Sequence, residues 1–214
     1  MPYKMAVLVD GAFISKCLKR LLKHGEYPQV SHYINISKAC VKQDSEELFR
    51  IYFYDALPFE GTRIKPLINA EINFKNQYST YRTELLRNLA ESDLVAMRKG
   101  IVTFGGWTLT ESAFKMLIEK LPASLRHEDI IPVFHQKCVD MKIGLDVAWL
   151  SSKRIVDGII LIANDQDFIP AMKHARREGV KVVIMEWLAA RYKALPALRE
   201  HADEIRPLPD NCYL

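Results

Sequence analysis

Three short stretches of this chain are almost wholly aliphatic: residues 4–9 (KMAVLV), 158–163 (GIILIA) and 180–185 (VKVVIM). Strands without polar alternation have no face to offer water, so each must be covered on both sides. The segments around them carry apolar residues at helical spacing. Phe13, Cys17, Leu18, Leu21 and Leu22 recur in that way over 13–23, 30–41 is weakly helical, and 141–150 is helical too. Over 168–177, Phe168, Ile169, Met172 and Ala175 share one face, and Gly179 stops the helix just past its end. Strands and helices alternating in this manner fold as an α/β, Rossmann-like three-layer sandwich with a central parallel sheet and right-handed crossovers.

Two more strands are expected, over 48–56 (LFRIYFYDA), ended by Pro58 and Gly61, and over 130–139 (IIPVFHQKCV). Residues 100–109 (GIVTFGGWTL) read as a strand with a glycine turn. From 64 to 97 charges are spread throughout, with Ile64, Leu67, Ile68, Ile72, Leu85, Leu86 and Leu89 among them, which predicts one long helix or a helical hairpin. The chain thus reads as a single domain over 1–214, its rhythm interrupted by a helical insertion or lid at about 60–125.

The 214 residues are 49% hydrophobic and 26% charged, enough apolar surface for a full core, so disordered and disulfide-framework classes are excluded. No apolar run approaches the roughly 18 residues that span a bilayer, so no membrane partner is expected. The opening MPYKMAVLVDGAF is too short in its apolar part for a secretory signal, and a cytoplasmic location is expected. Cys17, Cys40, Cys138 and Cys212 are too far apart for a zinc motif and read as reduced, buried thiols. The net charge of +4 permits a phosphate-bearing partner without demanding one.

Open parallel sheets bind ligands at the carboxyl ends of their strands. Asp10 follows the first aliphatic run, Asp140 follows the 130–139 strand, and Asp165 and Asp167 follow 158–163. Three separate strands therefore deliver acids toward one edge. Clustered carboxylates repel one another unless a counter-charge holds them, and a hard divalent cation such as Mg²⁺ prefers such oxygen ligands. An ion of that kind activates water and steadies charge on a phosphoryl oxygen, which fits phosphodiester hydrolysis. For Asp10 alone, a helix cap is an equally good reading. Asp146, six residues after Asp140 within a helical stretch, reads as structural or as support for the acids. Asp55 reads as a turn residue at a strand end. Lys137, Lys173, Arg176 and Arg177 are the candidates for holding substrate phosphates, and Tyr52, Tyr54, Tyr78, Tyr81 and Trp107 are candidates for base stacking, with core packing the better reading for Tyr52 and Tyr54. Dinucleotide, P-loop, nucleophile-elbow and H-E-x-x-H motifs are absent from the sequence.

The segments LVDGAF, KCVDMKIGLD and ILIANDQDFIPAMKHARREGVKVVIM resemble the signature segments of the NYN domain, in particular its LabA-like (DUF88) branch within the PIN-like nuclease group. The resemblance runs over about 4–187 and is strongest over 137–185. It implies a metal-dependent nuclease site, usually acting on RNA with Mg²⁺ or Mn²⁺. Asp10, Asp140, Asp165 and Asp167 match the family's acidic positions, and Asp146 a commonly acidic one. Phe13 stands where many members have Asn, and Ala163 where Ser or Thr is usual. The expected function is a metal-dependent endoribonuclease. A structure-dependent DNA nuclease, or a catalytically weak nucleic-acid-binding or protein-interaction module, are the alternatives, and a homo-oligomer is compatible with either.

Overall fold

A computed structural model describes residues 1–23, 25–119 and 124–213. The elements are β1 (Tyr3–Asp10), α1 (Gly11–Leu21), α2 (Val30–Ala39), β2 (Glu46–Ala56), β3 (Thr62–Lys65), β4 (Ala70–Asn73), α3 (Gln77–Ala90), β5 (Val95–Leu109), α4 (Glu111–Glu119), β6 (Ile130–Lys137), α5 (Val139–Ser152), β7 (Gly158–Ile162), α6 (Ile169–Arg177), β8 (Lys181–Glu186), α7 (Pro196–Arg199) and β9 (Glu204–Pro207). Seven strands hydrogen-bond in the order β6-β5-β2-β1-β7-β8-β9, and β3 and β4 form a separate hairpin. The chain divides into two compact units. One comprises Met1–Asp55, Leu85–Lys99 and Cys138–Leu214, the other Ala56–Glu84 and Gly100–Lys137.

In the first unit β1 pairs in parallel with β2 on one side and β7 on the other, and β7–β8 and β8–β9 are parallel too. Strand order therefore reverses at β1, the place where an open α/β sheet leaves a crevice at its carboxyl edge. All five residues of β7 are buried, as the aliphatic run requires. Ala6, Leu8, Tyr52, Tyr54, Ile159, Leu161, Val182 and Ile184 pack with Ile143, Val147, Leu150, Met172 and Ala175 of α5 and α6. The alternate residues Val7, Val9, Ile51, Phe53, Ile160 and Val183 are also buried, and Tyr33 of α2 meets Phe53 ring to ring at 5.4 Å. Helices thus cover both faces. At the end of α6 the Val180 amide donates to the Ala175 carbonyl and the Gly179 amide to that of Arg176, closing the helix in a Schellman turn.

The strand β9 was not legible, being four residues long. It is pinned by the buried Arg206 guanidinium, which donates to both Glu46 carboxylate oxygens at 2.7 and 2.8 Å and to Glu204. The hydrogen bond from Arg206 holds the Glu204 carboxyl well below the usual carboxylate range, with Lys181 and Lys42 adding to the effect.

The second unit differs from the sequence reading. In place of a long helix over 64–97, Thr62–Lys65 and Ala70–Asn73 pair as an antiparallel hairpin. Pro66 cannot continue a hydrogen-bonded segment, and Leu67 and Asn69 take left-handed backbone angles, φ 70° and 49°. Asn76 then starts a helix, its Oδ1 accepting the Ser79 amide at 2.9 Å. That helix ends before Leu94, whose φ of 61° turns the chain into β5. The segment 60–125 therefore mixes strands and helices. The expected glycine turn at 105–106 is a β-bulge inside one continuous strand: Phe104 pairs with Phe134 and Gly106 with Val133. The strand expected over 130–139 stops at Lys137 and runs antiparallel to β5.

A candidate acidic site at the carboxyl edge of the sheet

Asp10 ends β1 and caps α1, its Oδ1 accepting the amides of Ala12 at 3.0 Å and Phe13 at 3.2 Å. Capping and clustering are therefore compatible for this residue. Burial pushes its carboxyl up to about 6, the two capping bonds oppose this, and the nearby charges of Asp55 and Asp140 raise it further.

Asp55 is the residue that sequence reasoning missed. It is only 4% exposed. In the parallel register Asp10 lies opposite Tyr54, so Asp55 stands one residue farther along the same edge. Gly11 makes room for it: a Cβ there would lie 2.3 Å from Asp55 Oδ2 and 2.8 Å from a Phe53 ring carbon. The sequence shows only an acid at a strand end; the pairing of β2 beside β1 is what makes Asp10 its neighbour.

Asp140 lies in the first turn of α5, after Cys138, which is exposed at the helix start rather than buried, takes a left-handed φ of 68°. Partial desolvation raises its carboxyl, and so do the charges of Asp165 and then Asp167. Asp165 precedes a short 3-10 turn over Gln166–Phe168 and accepts the Asp167 amide at 3.0 Å. Asp10, Asp55, Asp140, Asp165 and Asp167 thus share one electrostatic neighbourhood.

Asp146 is placed differently. It receives Tyr54 Oη at 2.8 Å and Arg98 Nε at 2.8 Å, the latter an ion pair. Burial and the Asp146 charge push the Tyr54 phenol far up, so it remains a donor. Phe13 packs edge-on against Tyr192 at 4.3 Å, and Tyr192 donates to the Ala163 carbonyl at 3.3 Å, which ties the two positions together.

The basic group is not brought beside the acids. α6 runs back from the acidic edge, and its last turn, with Arg176 and Arg177, meets the start of β8 at the opposite edge. Eight residues of helix separate the ends, roughly 12 Å of rise. There Lys173, Arg176, Arg177 and Lys181 line an open hollow of about 650 Å³, and Arg176 is already paired with Asp203 at 2.8 Å. Lys137 is exposed at the end of β6.

An oxygen-only donor set suits a hard divalent ion. As the side chains stand, no three His, Cys, Asp or Glu among the described residues are gathered tightly enough to hold one. Asp10 and Asp165 each spend an oxygen on a local backbone amide.

Residues 72–209 match the NYN domain. The chain belongs to the NYN domain family. NYN domains are a PIN-like nuclease family, which points to a nuclease with a nucleic-acid substrate. The span matched to NYN holds Asp140, Asp146, Asp165 and Asp167, and Asp10 lies before it. No curated protein matches the chain. Among solved structures, a Vibrio parahaemolyticus protein of unknown function is similar, with 14% identity and a TM-score of 0.48, covering 98% of this chain and 94% of its own. Among the described residues, no helix of this NYN protein is long and apolar enough to cross a membrane.

Proposed function

We propose that this NYN protein is an endoribonuclease of the LabA-like branch, hydrolysing RNA phosphodiester bonds with Mg²⁺ or Mn²⁺ held by Asp10, Asp140, Asp165 and Asp167. The observation that carries the reading is the placement of acids on three chain segments around the strand-order reversal: Asp10 ends β1, Asp140 lies in the first turn of α5, and Asp165 and Asp167 follow β7. Such a set is held against its own repulsion, which a bound cation relieves. When bound, the ion supplies an activated water and stabilises charge on the phosphoryl group.

The chain's own residues then have separate tasks. Asp10 is fixed in direction by its two capping bonds, and Asp165 by its bond to the Asp167 amide. Asp146, clamped by Arg98 and Tyr54, fixes α5 and so positions Asp140, about 1.7 turns earlier. Lys173, Arg176 and Arg177 hold backbone phosphates away from the scissile bond, and Lys137 does the same from the end of β6. The test is cleavage of end-labelled single-stranded RNA and DNA of one sequence with Mg²⁺ or Mn²⁺. The reading expects RNA fragments and intact DNA. Equal or preferential DNA cleavage overturns the substrate class, and no cleavage of either overturns the activity.

A further inference from the structure

Phe59, Phe74, Phe104, Trp107 and Phe134 of the second unit form a continuous ring cluster. Phe74 meets Phe134 at 5.2 Å and Trp107 at 6.1 Å, Phe104 meets Trp107 at 5.6 Å, and Phe59 meets Phe134 at 5.6 Å. The bulge at Gly105–Gly106 builds this face. In a regular strand Phe104 and Trp107 would point to opposite sides. The extra residue, with Gly106 at a φ of 110°, brings them to the same side.

None of the five rings is buried. Phe134 is 40% exposed, and the neighbouring Tyr78 is also 40% exposed. Pro58, Phe59, Phe74, Tyr78, Val102 and Phe134 line an apolar hollow of about 240 Å³. A patch of this kind left to water marks an interaction surface.

The cations beside it decide the occupant. The Arg63 guanidinium lies 5.0 Å from the Phe59 ring centre and 5.3 Å from that of Phe104, and Lys65 Nζ lies 5.9 Å from that of Trp107. Among the described residues neither has a carboxylate partner, and the one hydrogen bond of the Arg63 side chain is to the Thr62 carbonyl. An apolar protein partner would have to desolvate these charges unpaired. A strand of unpaired nucleotides presents flat bases for the rings and phosphates for the cations. We infer that this face is a stacking platform for single-stranded RNA, a substrate-holding surface that rests on the nuclease reading above and names the form of RNA it takes.

The experiment measures binding of a fluorescent single-stranded RNA oligonucleotide to the full chain by anisotropy in EDTA, where cleavage plays no part. A duplex RNA of the same sequence is the comparison. Phe134→Leu keeps apolar bulk and loses the aromatic face, and Arg63→Gln removes the charge without touching the rings. Each variant should weaken single-strand binding roughly 5- to 150-fold and leave the weaker duplex binding unchanged. Wild-type affinity in both variants overturns the inference, as does the absence of single-strand binding by the wild type. A change of mass by light scattering with unchanged RNA affinity also overturns it, in favour of a protein-binding face. Binding that behaves as expected in a protein that never cleaves RNA sinks the nuclease reading alone. Cleavage by a protein whose variants bind normally sinks the platform alone.

Discussion

Asp10→Asn should make the metal-free protein more stable at neutral pH, although it removes a residue of the site. The folded chain holds the Asp10 proton up to about pH 6, against an ordinary value of 3.8, because of burial and then the charges of Asp55 and Asp140. Folding therefore takes up a proton between about pH 4 and 6, and wild-type stability falls as pH rises through that window. Above it Asp10 is ionised in both states and the loss is complete. Each pKa unit corresponds to 1.36 kcal/mol, so the shift amounts to about 3 kcal/mol. Asparagine keeps the oxygen that accepts the Ala12 and Phe13 amides, and caps nearly as well. The variant should melt roughly 6–12 °C above wild type at pH 7.5 in EDTA, since 1 kcal/mol moves a chain of this size by roughly 2–4 °C. At pH 4 the two melting temperatures should converge. Added Mg²⁺ or Mn²⁺ should raise the wild type much more than the variant, because the ion binds the folded acids. The assay is differential scanning fluorimetry of both proteins from pH 4 to 8, with and without metal. A variant that melts lower at pH 7.5, or a difference that does not change with pH, refutes the argument that Asp10 is held ionised against its surroundings.

Two further outcomes concern Gly11 at the acidic edge and the basic hollow at the opposite one. Gly11→Ala drives a methyl group into Asp55 and Phe53, so it should cost about 1–3 kcal/mol in urea unfolding and lower cleavage by displacing Asp55 from beside Asp10; wild-type stability and activity together would show that Asp55 has room to spare. Replacing Lys173, Arg176 and Arg177 with Glu should weaken RNA binding and flatten its dependence on salt, as fewer counterions are released; an unchanged salt slope would show that the far hollow is only a solvated surface.

The central sheet was legible because its strands are extreme. β1, β7 and β8 are buried on both faces, and residues with no polar alternation admit no other placement. Asp10 and Asp165 stand at one edge because β1 and β7 run parallel. Asp55 escaped because one acid at the end of an aromatic strand looks like a turn, and only the parallel pairing of β2 with β1 gives it a neighbour. The hairpin at 62–73 escaped for a different reason. Thr62–Lys65 and Ala70–Asn73 are half-exposed or exposed strands with no buried stripe, so hydrophobic period is silent there, and the turn chemistry of Pro66 and Asn69 was the better guide. The basic face of α6 lies opposite the buried Met172 and Ala175, as its helical spacing implies. Its distance from the acids was not legible, because a helix that returns across the sheet carries its last turn to the opposite edge.

The most direct test of the account is sequencing of the ends produced when total RNA is incubated with wild-type protein and with Asp167→Asn, each in Mg²⁺ or Mn²⁺ and in excess EDTA. Asp167 lies in the exposed turn after β7, where a change of one charge leaves the core untouched. The account predicts discrete new ends with wild type and metal only, and none with EDTA or with Asp167→Asn. Undiminished cleavage in EDTA, or equal cleavage by the variant, would contradict it.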